Sequence, residues 1–313
     1  MGFLTYVVLP LAALTAIAWG LRAEFGRGFA GPFGALFRSM PLTAAFGLTV
    51  VSLYILGAIF APAIAPYGES QVFDEFNLFP GENPDFVLGT DQLGRDLLTR
   101  LLYGGRNTIG IALVTTALAF VLGATLGFLA AVLGGWLDQV LSRGVDVLMA
   151  IPQLIFALLL ITILGQSTIN MILVIAVLDS TRVYRLARAV GGNIVVMDYI
   201  EAAKLRGEGL GYLIFKEILP NAAAPLLAEF GLRFCFVFLL IAALSFLGIG
   251  IQPPLADWGT MVRELSIYIG YAEYGDWQAA SLPLLPAAAI ALLTVAVNFV
   301  VDWMLDRYSG LKD

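Results

Sequence analysis

The sequence contains no histidine and only one cysteine. The absence of histidine excludes histidine-based acid–base catalysis, histidine metal sites and histidine pH switches. With a single cysteine, no disulfide can form within the chain. Because Cys235 lies in the apolar run LRFCFVFLLIAAL, we expect it to be a small buried hydrophobic residue.

Charge is also scarce, since only 13% of the residues are charged and 60% are hydrophobic. The charged fraction is roughly half the ~25% typical of soluble domains. The net charge of -6 gives no overall basic surface for nucleic acid. Several apolar runs approach or exceed the ~18 residues that indicate a transmembrane helix. The composition therefore predicts an all-α polytopic membrane protein.

Seven apolar runs are candidates for membrane spans: 3–21, 42–65, about 108–133, 147–164, 169–178, 226–249 and 282–301. Run 3–21 includes Ala16-Ile17-Ala18, which has the small-x-small pattern of a signal-peptide cleavage site. No Lys or Arg precedes Arg22, however, so an uncleaved membrane helix is predicted in preference to a signal peptide.

The positions of Lys and Arg predict the orientation of the chain. If loop 22–41 is cytoplasmic, 12 of the 17 Lys and Arg residues lie inside and 3 lie outside. The positive-inside rule then places the C-terminus and residues 179–225 in the cytoplasm, with the N-terminus outside.

A polar insert, EAAKLRGEGLGYLIFKEILPN at residues 201–221, lies between two apolar regions. Its first residues are good helix formers, and three glycines, Gly207, Gly209 and Gly211, interrupt them. A second short helix is predicted over 212–218, after which Leu219-Pro220 turns the chain back toward the next span. Apolar residues among the charges are suited to docking in a groove of a partner, whereas the alternative is an ordinary solvated loop.

The order of motifs resembles the permease subunits of bacterial ABC importers. EAA at 201–203, Gly207 and the later Ile-Leu-Pro match the EAA loop of those proteins. LGTDQLGRDLLTRLLYGGRNTIGIAL at 88–113 resembles a segment of the C-type permease of dipeptide, oligopeptide and nickel importers. AIPQLIFALLL in the fourth span and LSFLGIGIQPPLADWGTMV at 244–262 agree further.

This resemblance implies a type I ABC importer transmembrane fold with six core helices, to which run 3–21 adds one N-terminal helix. The implied layout is an extra helix and linker at 1–41, the first core helix and outer loop at 42–105, a transmembrane domain at 106–303 and a cytoplasmic tail at 304–313. The residues carried over to the ATPase-coupling loop are Glu201, Ala202, Ala203, Gly207, Ile218, Leu219 and Pro220.

The resemblance also implies a non-catalytic permease in the bacterial inner membrane. Its expected partners are a homologous second permease, one or two cytoplasmic ATPase subunits, an extracytoplasmic solute-binding protein and the lipid bilayer, with no nucleic acid. The chain contains no G-x-x-x-x-G-K-[ST] phosphate loop. No cofactor is therefore expected in this chain, and ATP and Mg²⁺ are expected on the partner ATPase.

The outer segment from Gly89 predicts an amphipathic helix, capped by Thr90 or Asp91, that lies on the membrane surface. Its leucines share one face, with Arg95, Asp96 and Arg100 opposite. The helix is either structural or a contact for a binding protein or second permease. Loop 252–281 carries Trp258, Tyr268, Tyr271, Tyr274 and Trp277, which predict either an interfacial aromatic belt or a docking surface.

Three polar residues in or beside the spans, Asp179, Ser245 and Asn298, are candidates for lining a translocation path. For Asp179, an ion pair with Arg182 is favoured over contact with cargo.

The cargo itself is expected to be a di- or oligopeptide, with nickel or another small solute as the alternative. A membrane-embedded hydrolase is disfavoured because the spans show no Ser/Lys or paired-Asp arrangement. An independent secondary transporter is disfavoured because no inverted repeat is evident.

Overall fold

The computed structural model describes residues 2–28, 37 and 39–308. The side chains of residues 2–10 and 25–28, most of the predicted linker 29–41 and the last residues of the predicted tail, 309–313, lie outside the described residues. Arg27, Arg38 and Lys312 are among the 12 Lys and Arg residues counted as cytoplasmic, and their side chains lie outside the described part of the chain as well.

Helices make up most of the described chain, in which the only β-type pairing is an isolated bridge between Thr90 and Asp96. The helices are α1 Gly2–Gly28, α2 Leu42–Ile64, α3 Leu97–Leu133, α4 Gly135–Met149, α5 Gln153–Leu164, α6 Thr168–Val195, α7 Asp198–Leu205, α8 Leu210–Tyr212, a π-helical turn Leu213–Ile218, α9 Leu219–Phe246, α10 Trp258–Leu265, a 3₁₀ segment Ser266–Tyr274, α11 Trp277–Ala280 and α12 Leu284–Tyr308. The predicted all-α class is confirmed.

Length and composition make four helical stretches of the described residues apolar enough to cross a membrane. They are Leu42–Ile64, Leu97–Leu133, Leu210–Phe246 and Trp277–Arg307. The pair α4 and α5 counts as a fifth if the bend of 91° between the two helices belongs to one broken span. Runs 3–21 and 169–178 lie on α1 and α6, which are not among these stretches, so seven crossings stay a prediction.

The bend between α4 and α5 corrects the predicted span 147–164. α4 ends at Met149 and α5 begins at Gln153, with Pro152 at the N-cap position of α5. A proline is tolerated at the start of a helix because the first N–H groups have no partner within the helix. Pro152 therefore marks the start of a new helix and does not lie inside one continuous span.

The chain divides into two compact units, residues 1–106 with 264–313 and residues 107–263. In the first unit, Ala18 of α1 packs with Met40, Ala44 and Ala45 at the start of α2. Gly47 of α2 lies directly against the backbone of α12 at Ala296, where a side chain would not fit. The extra N-terminal helix is thus packed against the first core helix.

The second unit holds α3 and α6 in close contact through glycines. A Cβ on Gly123 would lie 2.5 Å from the carbonyl oxygen of Ser180, and one on Gly127 would lie 2.7 Å from that of Tyr184. On the α6 side, Gly191 lies against Phe128. Small residues let two helix backbones approach closely, which gives a tightly packed interface.

Candidate functional site

The segment between α6 and α9 begins with the short helix α7. Asp198 and Glu201 lie in its first turn, where negative side chains interact favourably with the helix dipole. Lys204 lies in its last turn, where a positive charge is favoured. The charges of EAAKLR thus match the ends of the helix that the sequence predicts.

Gly207 ends α7 in a Schellman motif. Its N–H donates to the carbonyl of Lys204 at 2.9 Å, and the N–H of Glu208 donates to the carbonyl of Ala203 at 3.2 Å. The motif requires a left-handed residue after the helix, and Gly207 has a φ of 80°. Among the glycines of this turn, only Gly207 has a positive φ, so Gly209 and Gly211 are not needed for its geometry.

The chain after this turn does not fold back at Leu219-Pro220, which corrects the sequence prediction. α8, the π-helical turn and α9 form one continuous helical stretch, Leu210–Phe246. Pro220 lies just after the π-helical turn Leu213–Ile218, so the missing N–H falls where the hydrogen bonding of the stretch is already irregular. The second predicted helix of the insert is thus the start of the long helix that follows.

One face of this segment is anchored in a buried apolar cluster. The cluster joins α3, α6, α7, the π-helical turn and α9 through Phe128, Ala187, Ile194, Ile200, Ala203, Leu213, Ile214, Ile218, Ala222 and Leu226. Ile218 and Ala203 are completely buried. Full burial of one isoleucine side chain contributes about 1.5–3 kcal/mol. The cluster therefore fixes the segment firmly to the helices on either side of it.

The opposite face exposes large apolar side chains. Leu205 is 83% exposed and Phe215 is 62% exposed, and Val196, Leu210 and Tyr212 are exposed beside them in the chain. Several large exposed apolar side chains on one short segment are typical of an interaction site. The predicted coupling residues divide accordingly: Ala203 and Ile218 are buried, Leu219 is half-buried, and Glu201, Ala202, Gly207 and Pro220 are exposed.

Asp179 on α6 is completely buried, and its ion-pair partner is not Arg182. The nearest basic nitrogen is Nη1 of Arg233 on α9, 3.8 Å from Oδ1 of Asp179. The predicted pairing within α6 is therefore corrected to a contact between α6 and α9. The sequence could not indicate it, because the two residues are far apart in the chain.

Ser245 lies at the end of α9 and is also completely buried. Its Oγ accepts a hydrogen bond from the N–H of Ile251 at 3.2 Å, which holds the loop after α9. In that loop Asp257 caps the start of α10, where its Oδ1 accepts from the N–H of Thr260 at 3.0 Å. Burial raises the pKa of the Asp257 carboxyl above its ordinary value, and the hydrogen bonds from Thr260 oppose that shift.

Asn298 is half-buried on α12 and belongs to the other compact unit. The structure thus places Asp179 and Ser245 in residues 107–263 and Asn298 outside them. Their role in a translocation path stays a prediction.

The outer segment folds differently from the predicted surface helix. α3 begins only at Leu97, where Asp96 accepts from the N–H of Thr99 at 2.7 Å, so Asp96 and not Thr90 or Asp91 caps the helix. Residues 89–96 form a loop in which Gly89 and Gly94 have positive φ and lie against the backbone at Leu78 and Phe73. The helix then continues without a break into the predicted third span.

The predicted polar face is a buried ion cluster. Arg100 contacts Asp91 and Glu264 at 2.6 Å each, and Arg95 contacts Asp91 at 2.7 Å. Arg100 is only 2% exposed. Glu264 was not singled out in the sequence, since nothing in the pattern connects it with residues more than 150 positions earlier.

The aromatic residues of loop 252–281 fall into two groups. Trp258 and Tyr268 are buried, and the Tyr268 hydroxyl donates to Oδ1 of Asn77 at 2.7 Å. Tyr271, Tyr274 and Trp277 are exposed. Only the second group is available for an interfacial belt or a docking surface.

A model of the family of binding-protein-dependent transport system inner membrane components matches residues 123–309. The chain belongs to this family, and it is a multi-pass inner-membrane permease subunit of an ABC importer. The matched region contains both the segment with the exposed apolar face and the ion pair between α6 and α9.

The relatives are permeases named for small peptides. The chain is 37% identical to the di/tripeptide transport system permease protein DppC of Pseudomonas aeruginosa, over 90% of each chain. It is 34% identical to the dipeptide transport system permease protein DppC of Haemophilus influenzae, over 84% of this chain and 88% of the relative. It is 31% identical to the glutathione transport system permease protein GsiD of Pectobacterium atrosepticum, over 88% of each.

Proposed function

We propose that this permease imports dipeptides or other short peptides, together with a second homologous permease and an extracytoplasmic binding protein. It is driven by cytoplasmic ATPase subunits that dock on residues 201–221. The chain itself hydrolyses no ATP, and ATP with Mg²⁺ is bound by the ATPase partner.

The observation that carries the docking role is the two-sided character of this segment. One face is anchored in the apolar cluster, whereas Leu205 and Phe215 project from the other face and are 83% and 62% exposed. A short amphipathic element with free apolar side chains suits a groove in a partner. Because its other face is fixed to α6 and α9, a displacement of the segment is passed to both helices.

The peptide cargo is supported by the names of the relatives, which are di/tripeptide, dipeptide and glutathione permeases. Short peptides share an α-ammonium group and a carboxylate, whatever their side chains. A permease for many peptides therefore needs few contacts with individual side chains.

Copurification tests the docking role. The chain is expressed with the second permease and the ATPases encoded beside it, and a double variant Leu205→Ser/Phe215→Ser is compared with the unmodified chain. We expect the double variant to stay in the membrane and to lose ATPase binding by about tenfold or more, since buried apolar anchors dominate interfaces.

The matched control is Leu93→Ser, because Leu93 is 57% exposed but lies in the other compact unit. Equal ATPase recovery with the double variant and the control would refute the docking role. Cargo is tested separately in vesicles by uptake of labelled dipeptides against labelled Ni²⁺, and uptake of Ni²⁺ alone would refute the peptide assignment.

A further inference from the structure

The interface between α6 and α9 contains an ion pair, Asp179 and Arg233, whose charged atoms lie farther apart than hydrogen-bond distance. Both carboxylate oxygens of Asp179 are buried, and neither has a hydrogen-bond partner among the described residues. The contact with Arg233 is 3.8 Å long, which is beyond hydrogen-bond distance. The side-chain amide of Gln153, on α5, also lies close enough to stabilise this carboxylate, although not at ordinary hydrogen-bond distance. A buried charge with only long contacts is incompletely compensated, so closing the gap to Arg233 would stabilise it.

Arg233 is fixed to its own helix. Its Nε lies 2.7 Å from Oε1 of Glu229 one turn earlier, and its guanidinium stacks 4.6 Å from the ring centre of Phe236. Its Nη1, the nitrogen that faces Asp179, has no hydrogen-bond partner among the residues described. A shift of about 1 Å between α6 and α9 would bring Nη1 to the length of a charge-assisted hydrogen bond.

The packing on the two sides of α6 is unequal. Toward α3, glycines at 123 and 127 bring the two helices into direct backbone contact. Toward α9, the helices share the buried apolar cluster as far as Leu226, and beyond it the interface holds a charged pair separated by a gap. A movement of α9 against α6 and α3 is therefore expected beyond that cluster, where the charged pair lies.

The N-terminal part of α9 and the turn before it contain features that interrupt regular helical hydrogen bonding. The π-helical turn Leu213–Ile218 precedes it, Pro220 lies in its first turn and Pro225 lies inside it. A proline within a helix removes one backbone hydrogen bond, and π-helical turns and prolines are common sites of bending. Of these features, Pro225 lies between residues 201–221 and Arg233 in the chain.

We propose that Asp179 and Arg233 are positioning residues for transport, whose ion pair closes in another state of the cycle when α9 bends near Pro225. The inference rests on the proposed function, because force on residues 201–221 supplies the bend. In that state the ion pair stabilises the contact between α6, which is packed against α3, and α9.

The first test measures coupling in the full transporter, reconstituted with its second permease, ATPases and binding protein. Peptide transported per ATP hydrolysed is compared for the unmodified chain, Asp179→Asn, Arg233→Gln and Asp179→Glu. We expect about a tenfold or greater loss in the two neutral variants and recovery in Asp179→Glu, which keeps the charge. The control is Arg185→Gln, because Arg185 pairs with Asp146 on an exposed surface of the same helix α6.

The second test begins with a measurement on a chain that keeps both Asp179 and Arg233. Spin labels are placed at Leu173→Cys on α6 and Leu239→Cys on α9, both on exposed faces, in a chain carrying Cys235→Ala. We expect the distance between the labels to change between nucleotide-free and vanadate-trapped transporter, and Asp179→Asn to suppress that change.

An unchanged distance in the otherwise unmodified chain, or unaltered coupling in Asp179→Asn, would overturn the proposal. Failure of the unmodified transporter to bind ATPases or to take up peptide would instead overturn the proposed function. The two failures are distinguishable, because the second abolishes ATPase binding or peptide uptake by the unmodified transporter, whereas the first leaves both intact.

Discussion

Single residues in the turn at 207–211 have unequal structural roles, although the sequence shows three similar glycines there. Only Gly207 adopts the left-handed conformation, and both hydrogen bonds of the Schellman motif depend on the turn it forms. Gly209 has a φ of -77°, which any residue tolerates. The resemblance to the EAA loop predicts a role for Gly207, and its positive φ explains why glycine is favoured at this position.

Gly207→Ala is expected to weaken docking of the ATPase, whereas Gly209→Ala is not. No atom lies within 4 Å of a Cβ at either position, so the difference comes only from the backbone. A left-handed alanine costs roughly 1–2 kcal/mol, which would lower the fraction of chains with a correctly formed α7 end. ATPase recovery by copurification measures the effect, and equal recovery for both variants would contradict it.

At the same scale, the charged residues of the GTDQLGRD motif are buried and not displayed. Asp91, Arg95 and Arg100 form the ion cluster with Glu264, and Asp96 caps α3. Side chains this deeply buried are not available to contact another protein. The motif therefore shapes the outer segment, and a docking surface has to be sought among exposed residues.

Helix pairs differ in what lies at their interface. α3 and α6 meet through glycines, whereas α6 and α9 meet at the shared apolar cluster and at a widely spaced ion pair. Glycine in a helix is unfavourable by itself, by about 1 kcal/mol relative to alanine. Glycines at close helix contacts offset that cost by permitting close packing.

Gly123→Ala is expected to destabilise the protein, and Gly110→Ala on the same helix α3 is its matched control. A Cβ at Gly123 would meet the backbone of α6 at 2.5 Å, whereas one at Gly110 meets nothing within 4 Å. Overpacking costs typically about 1–3 kcal/mol, while alanine at the open site raises helix propensity. Thermal unfolding of the purified protein in detergent measures both changes, and a stable Gly123→Ala variant would show that α3 and α6 can separate.

At the scale of the whole molecule, the exposed apolar residues are distributed over several faces. Many belong to the helices long enough to cross a membrane, where lipid covers them. Those on residues 196–215 precede the predicted span 226–249, and Tyr271, Tyr274 and Trp277 lie in loop 252–281. These two regions are the exposed apolar surfaces for which a protein partner is a candidate cover.

The orientation of the chain is predicted by its Lys and Arg distribution, and it can be tested with single cysteines in a chain carrying Cys235→Ala. Val196→Cys is expected to react only with reagents supplied from the cytoplasm, and Tyr274→Cys only from outside. Both side chains are at least 80% exposed, so access does not differ between them. Labelling of intact cells with a membrane-impermeant maleimide measures the sides, and the reverse pattern would invert the topology.

Sequence alone determined the class of this protein, because apolar run length and scarcity of charge dictate helices in a membrane whatever the detailed packing. The EAA motif and its neighbours likewise identified the family, and they predict a coupling role for residues 201–221. These properties are local or compositional, so a single sequence carries them.

Tertiary structure alone decided which charges meet. Asp179 pairs with Arg233 and not with its neighbour Arg182, and Arg100 reaches Glu264 far along the chain. It also decided that the helix runs through Pro220 and that α3 starts at Leu97. The physical reason is the same in each case: buried polar groups must find partners in space, and positions in the sequence do not reveal distances in a folded chain.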